Sequence, residues 1–238
     1  MKELFIQKIK VDWEEIAEES YIRQIPALRM VRELELKRPV TFFAGENGSG
    51  KSTLLEAIAI ACGLNPEGGS RNYRFSTCDT HSQLYRAVTL VKGCQKERWI
   101  YFLRAESFYN VATKEKEDYG NISGYHERSH GESFLEMMQE NFRGKGIFLL
   151  DEPEAALSPQ RQLALMLEMF RSVKDGSQFI IASHSPILLG FPEADIFHFC
   201  DTGMRKIDYE DTDSYRITKL FLEDRDRILQ KLFDAKEL

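Results

Sequence analysis

Gly45-Glu46-Asn47-Gly48-Ser49-Gly50-Lys51-Ser52-Thr53 matches G-x-x-x-x-G-K-[ST], the phosphate-binding loop pattern. Its flanks are those the pattern needs. An apolar run, Pro39-Val40-Thr41-Phe42-Phe43-Ala44, enters like a buried strand, and Ser52-Thr53-Leu54-Leu55-Glu56-Ala57-Ile58-Ala59 leaves like a helix. The glycines let such a loop wrap a phosphate with its N–H groups, at the positive end of the helix. Glu46, Asn47, Gly48, Ser49, Gly50, Lys51, Ser52 and Thr53 are the expected ATP phosphate-binding set. The mechanism of such loops assigns Lys51 to the β- and γ-phosphates and the Ser52 hydroxyl to Mg²⁺.

A second pattern lies downstream. Ile147-Phe148-Leu149-Leu150 runs into Asp151-Glu152-Pro153. Four apolar residues followed by two carboxylates read as a strand that carries Asp151 to its carboxyl end, where it is a Mg²⁺ ligand through water. Glu152 is then placed to activate the attacking water as general base. Further on, Gln178-Phe179-Ile180-Ile181-Ala182-Ser183-His184 is another buried strand, and His184 at its carboxyl edge is a candidate hydrogen-bonding partner of the γ-phosphate. Lys51, Glu152 and His184 form the expected catalytic group.

Composition sets bounds. The chain of 238 residues suggests one domain, spanning 1–238, with a small appended lobe. A hydrophobic content of 42% is enough for a core, and a net charge of -6 argues against a protein that coats nucleic acid, though not against a local basic patch. No apolar run is long enough to span a bilayer, and the opening residues lack the apolar core of a signal peptide. Cys62, Cys78, Cys94 and Cys200 are widely spaced and contain no C-x-x-C pair, so they read as reduced structural thiols rather than a zinc site. These features fit a cytoplasmic protein.

The remaining segments read as follows. Residues 4–11 partly alternate, as a first strand does. Residues 12–19 are acidic, a loop or short helix. Residues 65–72 are turn-rich, with Arg71 and Arg74 in or beside them, and Ser82 to Leu90 reads as a helix that begins beside His81. Residues 98–103 form a buried strand. The polar and aromatic stretch after it, with the charge run 114–118, belongs to the small lobe, placed at about 105–143. Ser158 and Pro159 open a helix to about Val173. A hairpin around Thr202-Gly203 follows. The tail, Ser214 to Phe233, has apolar residues at helical spacing and reads as a helix or helix pair packed on the core.

The order of these motifs resembles the ATP-binding-cassette (ABC) superfamily. Arg128-Ser129-His130-Gly131-Glu132 stands where that family has Leu-Ser-Gly-Gly-Gln/Glu; Ser129, Gly131 and Glu132 match, while Arg128 and His130 depart. Ala155-Ala156-Leu157-Ser158 matches the D-loop, and His184 the switch histidine. Glu132 looks like the non-transporter branch, which includes the chromosome-maintenance and double-strand-break-repair ATPases and the ATPase halves of overcoming-lysogenization-defect nucleases. The strings at 102–110, 128–134 and 151–162 are also similar to hallmarks of small stand-alone bacterial ATPases of AAA/ABC type.

The resemblance implies an α/β fold: a P-loop NTPase core sheet with flanking helices, an ABC-type ATPase head with a short helical lobe. It implies Mg-dependent ATP hydrolysis between two protomers of a homodimer. The P-loop comes from one chain, and Ser129, His130, Gly131 and Glu132 from the other. It places Glu106, a polar residue just after a core strand, at the metal or the attacking water. Trp13 or Tyr21 could stack on adenine, while the general habit of buried aromatics favours reading both as packing residues. The function implied is an ATP-driven switch acting on nucleic acid or a soluble effector protein. The alternative is the nucleotide-binding subunit of a membrane permease. Glu132, the absent aromatic-Gln motif and the Ala155-Ala156-Leu157-Ser158 D-loop count against it. A toxin–antitoxin or defence sensor that binds ATP with little turnover is not separated from the first reading. The interval between Lys51 and Asp151 has no room for two long coiled-coil arms.

Overall fold

A computed structural model describes residues 3–70, 82–104 and 145–234. Glu106, Ser129, His130, Gly131, Glu132, Arg71, Arg74, His81 and the whole expected lobe at 105–143 lie outside the described residues.

The strands are β1 (Ile6–Val11), β2 (Glu33–Glu35), β3 (Val40–Gly45), β4 (Gly69–Ser70), β5 (Val88–Lys92), β6 (Trp99–Arg104), β7 (Gly146–Asp151), β8 (Gln178–Ala182), β9 (Asp195–Cys200) and β10 (Gly203–Ile207). Among the described residues four longer helices accompany them: α1 (Lys51–Ala61), α2 (Pro159–Asp175), α3 (Asp213–Glu223) and α4 (Arg225–Asp234). The main sheet has the order β10-β9-β3-β8-β7-β6-β4. Its central strands β9, β3, β8, β7 and β6 are parallel, and the edge strands β10 and β4 are antiparallel. A smaller antiparallel sheet has the order β2-β1-β5.

The central strands are apolar because both faces are covered. Alternation along each strand sends neighbouring side chains to opposite layers. Phe43, Ile147, Leu149 and Ile180 pack with Leu54, Leu55 and Ile58 of α1 and with Ile6 and Ile9 of β1. Phe42, Phe148, Leu150, Phe179 and Ile181 pack with Leu165 and Met169 of α2. Helix α1 therefore lies between the two sheets, which explains why it is apolar nearly all round. Helix α2 has one buried stripe, starts with Ser158 Oγ accepting from the Arg161 N–H at 3.4 Å, and stops at Gly176 with φ 101°. The two sheets are tied by one buried amide. Gln178 Oε1 accepts from the Ile6 N–H at 2.9 Å, and Gln178 Nε2 donates to the Ile6 carbonyl at 2.8 Å.

Two expectations need correction. Ser82–Leu90 is not one helix: a single turn at Leu84–Ala87 gives way to β5, whose Val88-Thr89-Leu90-Val91 run pairs with β1. The β-branched residues find a partner strand, which local periodicity does not register. The tail does form two helices, but neither α3 nor α4 has a buried residue; Ile217, Leu220, Leu222, Leu232 and Phe233 are exposed. The helical spacing is real, and the core is not what the apolar stripe faces. No described helix is long and apolar enough to cross a membrane.

Candidate functional site

Strand order builds the site. β8 lies between β3 and β7, so the carboxyl ends of all three meet at one edge of the sheet. The Ser183 N–H donates to the Phe43 carbonyl at 3.0 Å, and the Glu152 N–H to the Ala182 carbonyl at 2.9 Å. The phosphate-loop residues, Asp151-Glu152 and Ser183-His184 are thereby neighbours, though far apart in sequence.

The loop from Glu46 to Gly50 joins β3 to α1. Gly50 has φ 98°, and a Cβ there would come within 2.9 Å of Ile25 and Leu28; at Gly45, φ 141°, a Cβ would sit 2.4 Å from the Phe199 carbonyl. Neither position accepts another residue without displacement. No side chain caps the N-terminus of α1, so its first amide groups face the loop. Lys51 is 3% exposed, and its Nζ donates to the carbonyls of Gly45 at 2.9 Å and Glu46 at 2.8 Å. Burial lowers the Lys51 pKa, against the opposing pull of Glu152, Asp151 and Glu154.

Ser52 Oγ donates to Asp151 Oδ1 at 2.8 Å. The other oxygen, Asp151 Oδ2, accepts from Arg104 Nε at 3.1 Å. Arg104 Nη1 reaches Glu56 Oε2 at 3.0 Å, and Glu56 Oε1 accepts from the Ser82 N–H at 3.2 Å. Burial raises the Asp151 pKa above its usual range although Arg104 and Ser52 pull it down. Burial also works against the charge on Arg104, but Asp151 and Glu56 outweigh it and hold the guanidinium protonated.

Glu152 adopts φ 48° and ψ 51°, a left-handed conformation rare outside glycine. Such strain is characteristic of functional positions. His184 Nδ1 lies 3.9 Å from Glu152 Oε1 and 3.5 Å from Glu154 Oε1. A groove of about 660 Å³ runs past Gly45, Glu46, Asn47, His184, His198 and Ile217.

The structure thus brings together Lys51, Ser52, Asp151, Glu152 and His184, with Glu46 and Asn47 on the groove, Gly48 and Ser49 in the loop and Thr53 in the first turn of α1. Of the two adenine candidates, Trp13 is a packing residue: it is buried, and its Nε1 donates to the Val31 carbonyl at 2.7 Å. Tyr21 is 58% exposed.

Three site residues escape the motif reading. Arg104 directly follows the strand expected at 98–103 and ends β6, and a lone Arg in that place is a signal for it. Glu56 is the one carboxylate in the apolar helix after the loop. Glu154 has no local signal, because its partners lie in the turn that follows β8.

A family model described as an AAA domain matches residues 22–158, more than half of the chain. A second AAA-domain model, whose description names the AbiEii toxin and a type IV toxin–antitoxin system, matches residues 133–190. A search of curated protein sequences gives no significant match. Among solved structures, a chain assigned to an inward-facing metal-chelate type ABC transporter aligns with a TM-score of 0.51 at 12% identity, over 87% of this chain and 84% of that one. The SMC head domain from Thermotoga maritima aligns with a TM-score of 0.46 at 12% identity, over 86% and 99% of the two chains. A dimeric bacterial ABC transporter cassette aligns with a TM-score of 0.40 at 18% identity, over 87% and 99%. With a parallel core sheet, a phosphate-binding loop and an Asp-Glu strand meeting at one sheet edge, the chain has the ABC-type ATPase fold and belongs to the AAA-domain family.

Proposed function

We propose that this chain binds and hydrolyses Mg-ATP, and that the cycle switches two copies between a closed and an open dimer. The observation that carries the reading is the 2.8 Å bond between Ser52 Oγ and Asp151 Oδ1. It joins the two motifs that such an ATPase must bring together.

Mg²⁺ fits the residues. Two hard oxygen donors, a hydroxyl and a carboxylate, meet at that bond. Mg²⁺ characteristically takes one or two protein oxygens and leaves the rest of its shell to phosphate and water. Ser52 and Asp151 are the proposed ligands, with Glu106 as a third. The ion supplies neutralisation of the charge on the β- and γ-phosphates.

The chain's own residues do the rest. The N–H groups from Glu46 to Thr53 cradle the phosphates, and the Lys51 ammonium, poised over the loop carbonyls, pairs with the β- and γ-oxygens. Glu152 takes the proton from the attacking water, and His184 hydrogen-bonds the γ-phosphate. Ser129, His130, Gly131 and Glu132 of a second copy close the site, so that γ-phosphate contacts set the balance between the two dimer states. The unit is a single domain over 1–238 with the signature-bearing lobe at about 105–143, working in the cytoplasm on nucleic acid or a soluble effector. The toxin–antitoxin description of the second family match supports a defence-type setting.

Phosphate release by the purified protein in Mg-ATP tests the reading. Turnover is expected, and Glu152→Gln should reduce it by about 10²–10⁴-fold, the worth of a general base, with ATP still bound. Absence of both binding and hydrolysis refutes it.

A further inference from the structure

Glu154 belongs to neither the phosphate nor the metal set. Its side chain is 6% exposed, and a single oxygen, Oε1, gathers the polar groups of one turn. It accepts from Ser183 Oγ at 2.8 Å, from the His184 N–H at 2.7 Å and from the Ser185 N–H at 3.1 Å. His184 Nδ1 stands 3.5 Å from the same oxygen. Glu154 Oε2 is buried without a hydrogen-bond partner.

The local sequence builds this clamp. Pro153 opens a tight 3-10 turn over Pro153–Ala156, directly after the strained Glu152, and so turns Glu154 toward the end of β8. The receiving turn is fixed on both sides of the histidine. The Ser183 N–H is bonded to β3, and Ser185 Oγ accepts from the Ile187 and Leu188 N–H groups at 3.1 and 3.2 Å. Between these anchors the His184 side chain is 49% exposed. It lines the groove that also contains Gly45, Glu46 and Asn47.

A carboxylate only accepts hydrogen bonds, and two of them face His184 Nδ1, Glu154 at 3.5 Å and Glu152 at 3.9 Å, so their negative charge favours the hydrogen on that nitrogen. The other nitrogen is then the one available to a ligand, and its state is set by the first. The structure assigns Glu154 as a positioning residue: it holds the Ser183–Ser185 turn and keeps His184 in the Nδ1–H form, leaving Nε2 for the γ-phosphate. The role of Nε2 rests on the ATPase reading above; the clamp itself does not. Its charge also reaches Lys51, where it opposes the effect of burial.

The first test needs no nucleotide. Two-dimensional ¹⁵N–¹H spectra of the histidine rings, taken at about pH 8.5 where imidazole is neutral, identify the tautomer of His184 in the full chain. The wild type should show Nδ1–H, and Glu154→Ala a mixture of the two forms. An Nε2–H pattern in the wild type, or an unchanged pattern in the folded alanine variant, overturns the assignment. Turnover is the second test. Glu154→Ala should lower kcat by about 10²-fold, the cost of an ångström-scale misplacement. In a His184→Ala background it should cost nothing further, and a full additional loss overturns a role through His184. If Glu154→Ala does not fold, Glu154→Gln decides. It keeps an acceptor for the turn, so a weakened Nδ1–H preference with lowered kcat supports the assignment, and wild-type spectra and kcat overturn it. The tautomer stands or falls without ATP, so its failure is distinct from failure of the ATPase reading.

Discussion

Replacing Arg104 by alanine tests whether the cation between Asp151 and Glu56 holds the site together. Arg104 ends β6 in register with Asp151 on β7. The side chains of Arg104, Asp151 and Glu56 are 23%, 5% and 11% exposed. Without the guanidinium, two buried carboxylates face each other. Removing one partner of a buried pair costs about 3–5 kcal/mol. Asp151 keeps its bond from Ser52, Glu56 keeps its bond from the Ser82 N–H, and Arg104 is not fully buried. The loss therefore belongs at the low end, about 3 kcal/mol. For a chain of this size that lowers Tm by roughly 6–12 °C.

The sign of the pH dependence follows from Asp151, whose pKa burial raises above its ordinary 3.8. An acid with a raised folded value binds its proton more tightly when folded. It favours the folded state at low pH, and that contribution is lost as pH rises through the folded value. Removing Arg104 raises the value further. The deficit of the variant is therefore largest near neutrality and shrinks on acidification toward the ordinary carboxylate range. Urea unfolding of both proteins at about pH 8 and pH 5 reads it out. A variant as stable as the wild type at the higher pH, or a deficit that grows at the lower, refutes the reasoning.

Other perturbations have distinct outcomes. Lys51→Ala removes the ammonium held over the loop and should weaken ATP binding by at least about 100-fold, the worth of two charge-assisted hydrogen bonds, as measured by calorimetry. At Glu152, with φ 48°, a β-branched Val should cost about 1–3 kcal/mol in thermal unfolding, whereas Gly should cost less than Val; the reverse order contradicts the left-handed backbone. Leu222 on α3 is 75% exposed, so Leu222→Asn should change stability by no more than about 0.5 kcal/mol in denaturant titration, where a buried leucine would lose several times that.

Much of the architecture is legible in local pattern. The phosphate loop needs only its own nine residues and their flanks, and the run from Ile147 to Glu152 declares a buried strand with carboxylates at its end. The order of strands is not legible, because the placement of β8 between β3 and β7 depends on pairing across more than a hundred residues. The same limit hides the partners of Arg104 and Glu154. Each is defined by what it touches, Asp151 and Glu56 in one case and the Ser183–Ser185 turn in the other. Periodicity misleads where it reports a face without its partner. Leu84, Ala87 and Val88 space like a helix although Val88 begins a strand, and the apolar stripe of the tail faces away from the core.

The central claim is that ATP closes two copies of this chain around the site of Lys51, Asp151, Glu152 and His184. Light scattering of the Glu152→Gln protein, with and without Mg-ATP, tests it most directly. The mass should rise from 27.6 kDa to twice that value on adding ATP, because binding is retained and the step that reopens the dimer is removed. A mass that stays at that of one chain at saturating ATP contradicts it.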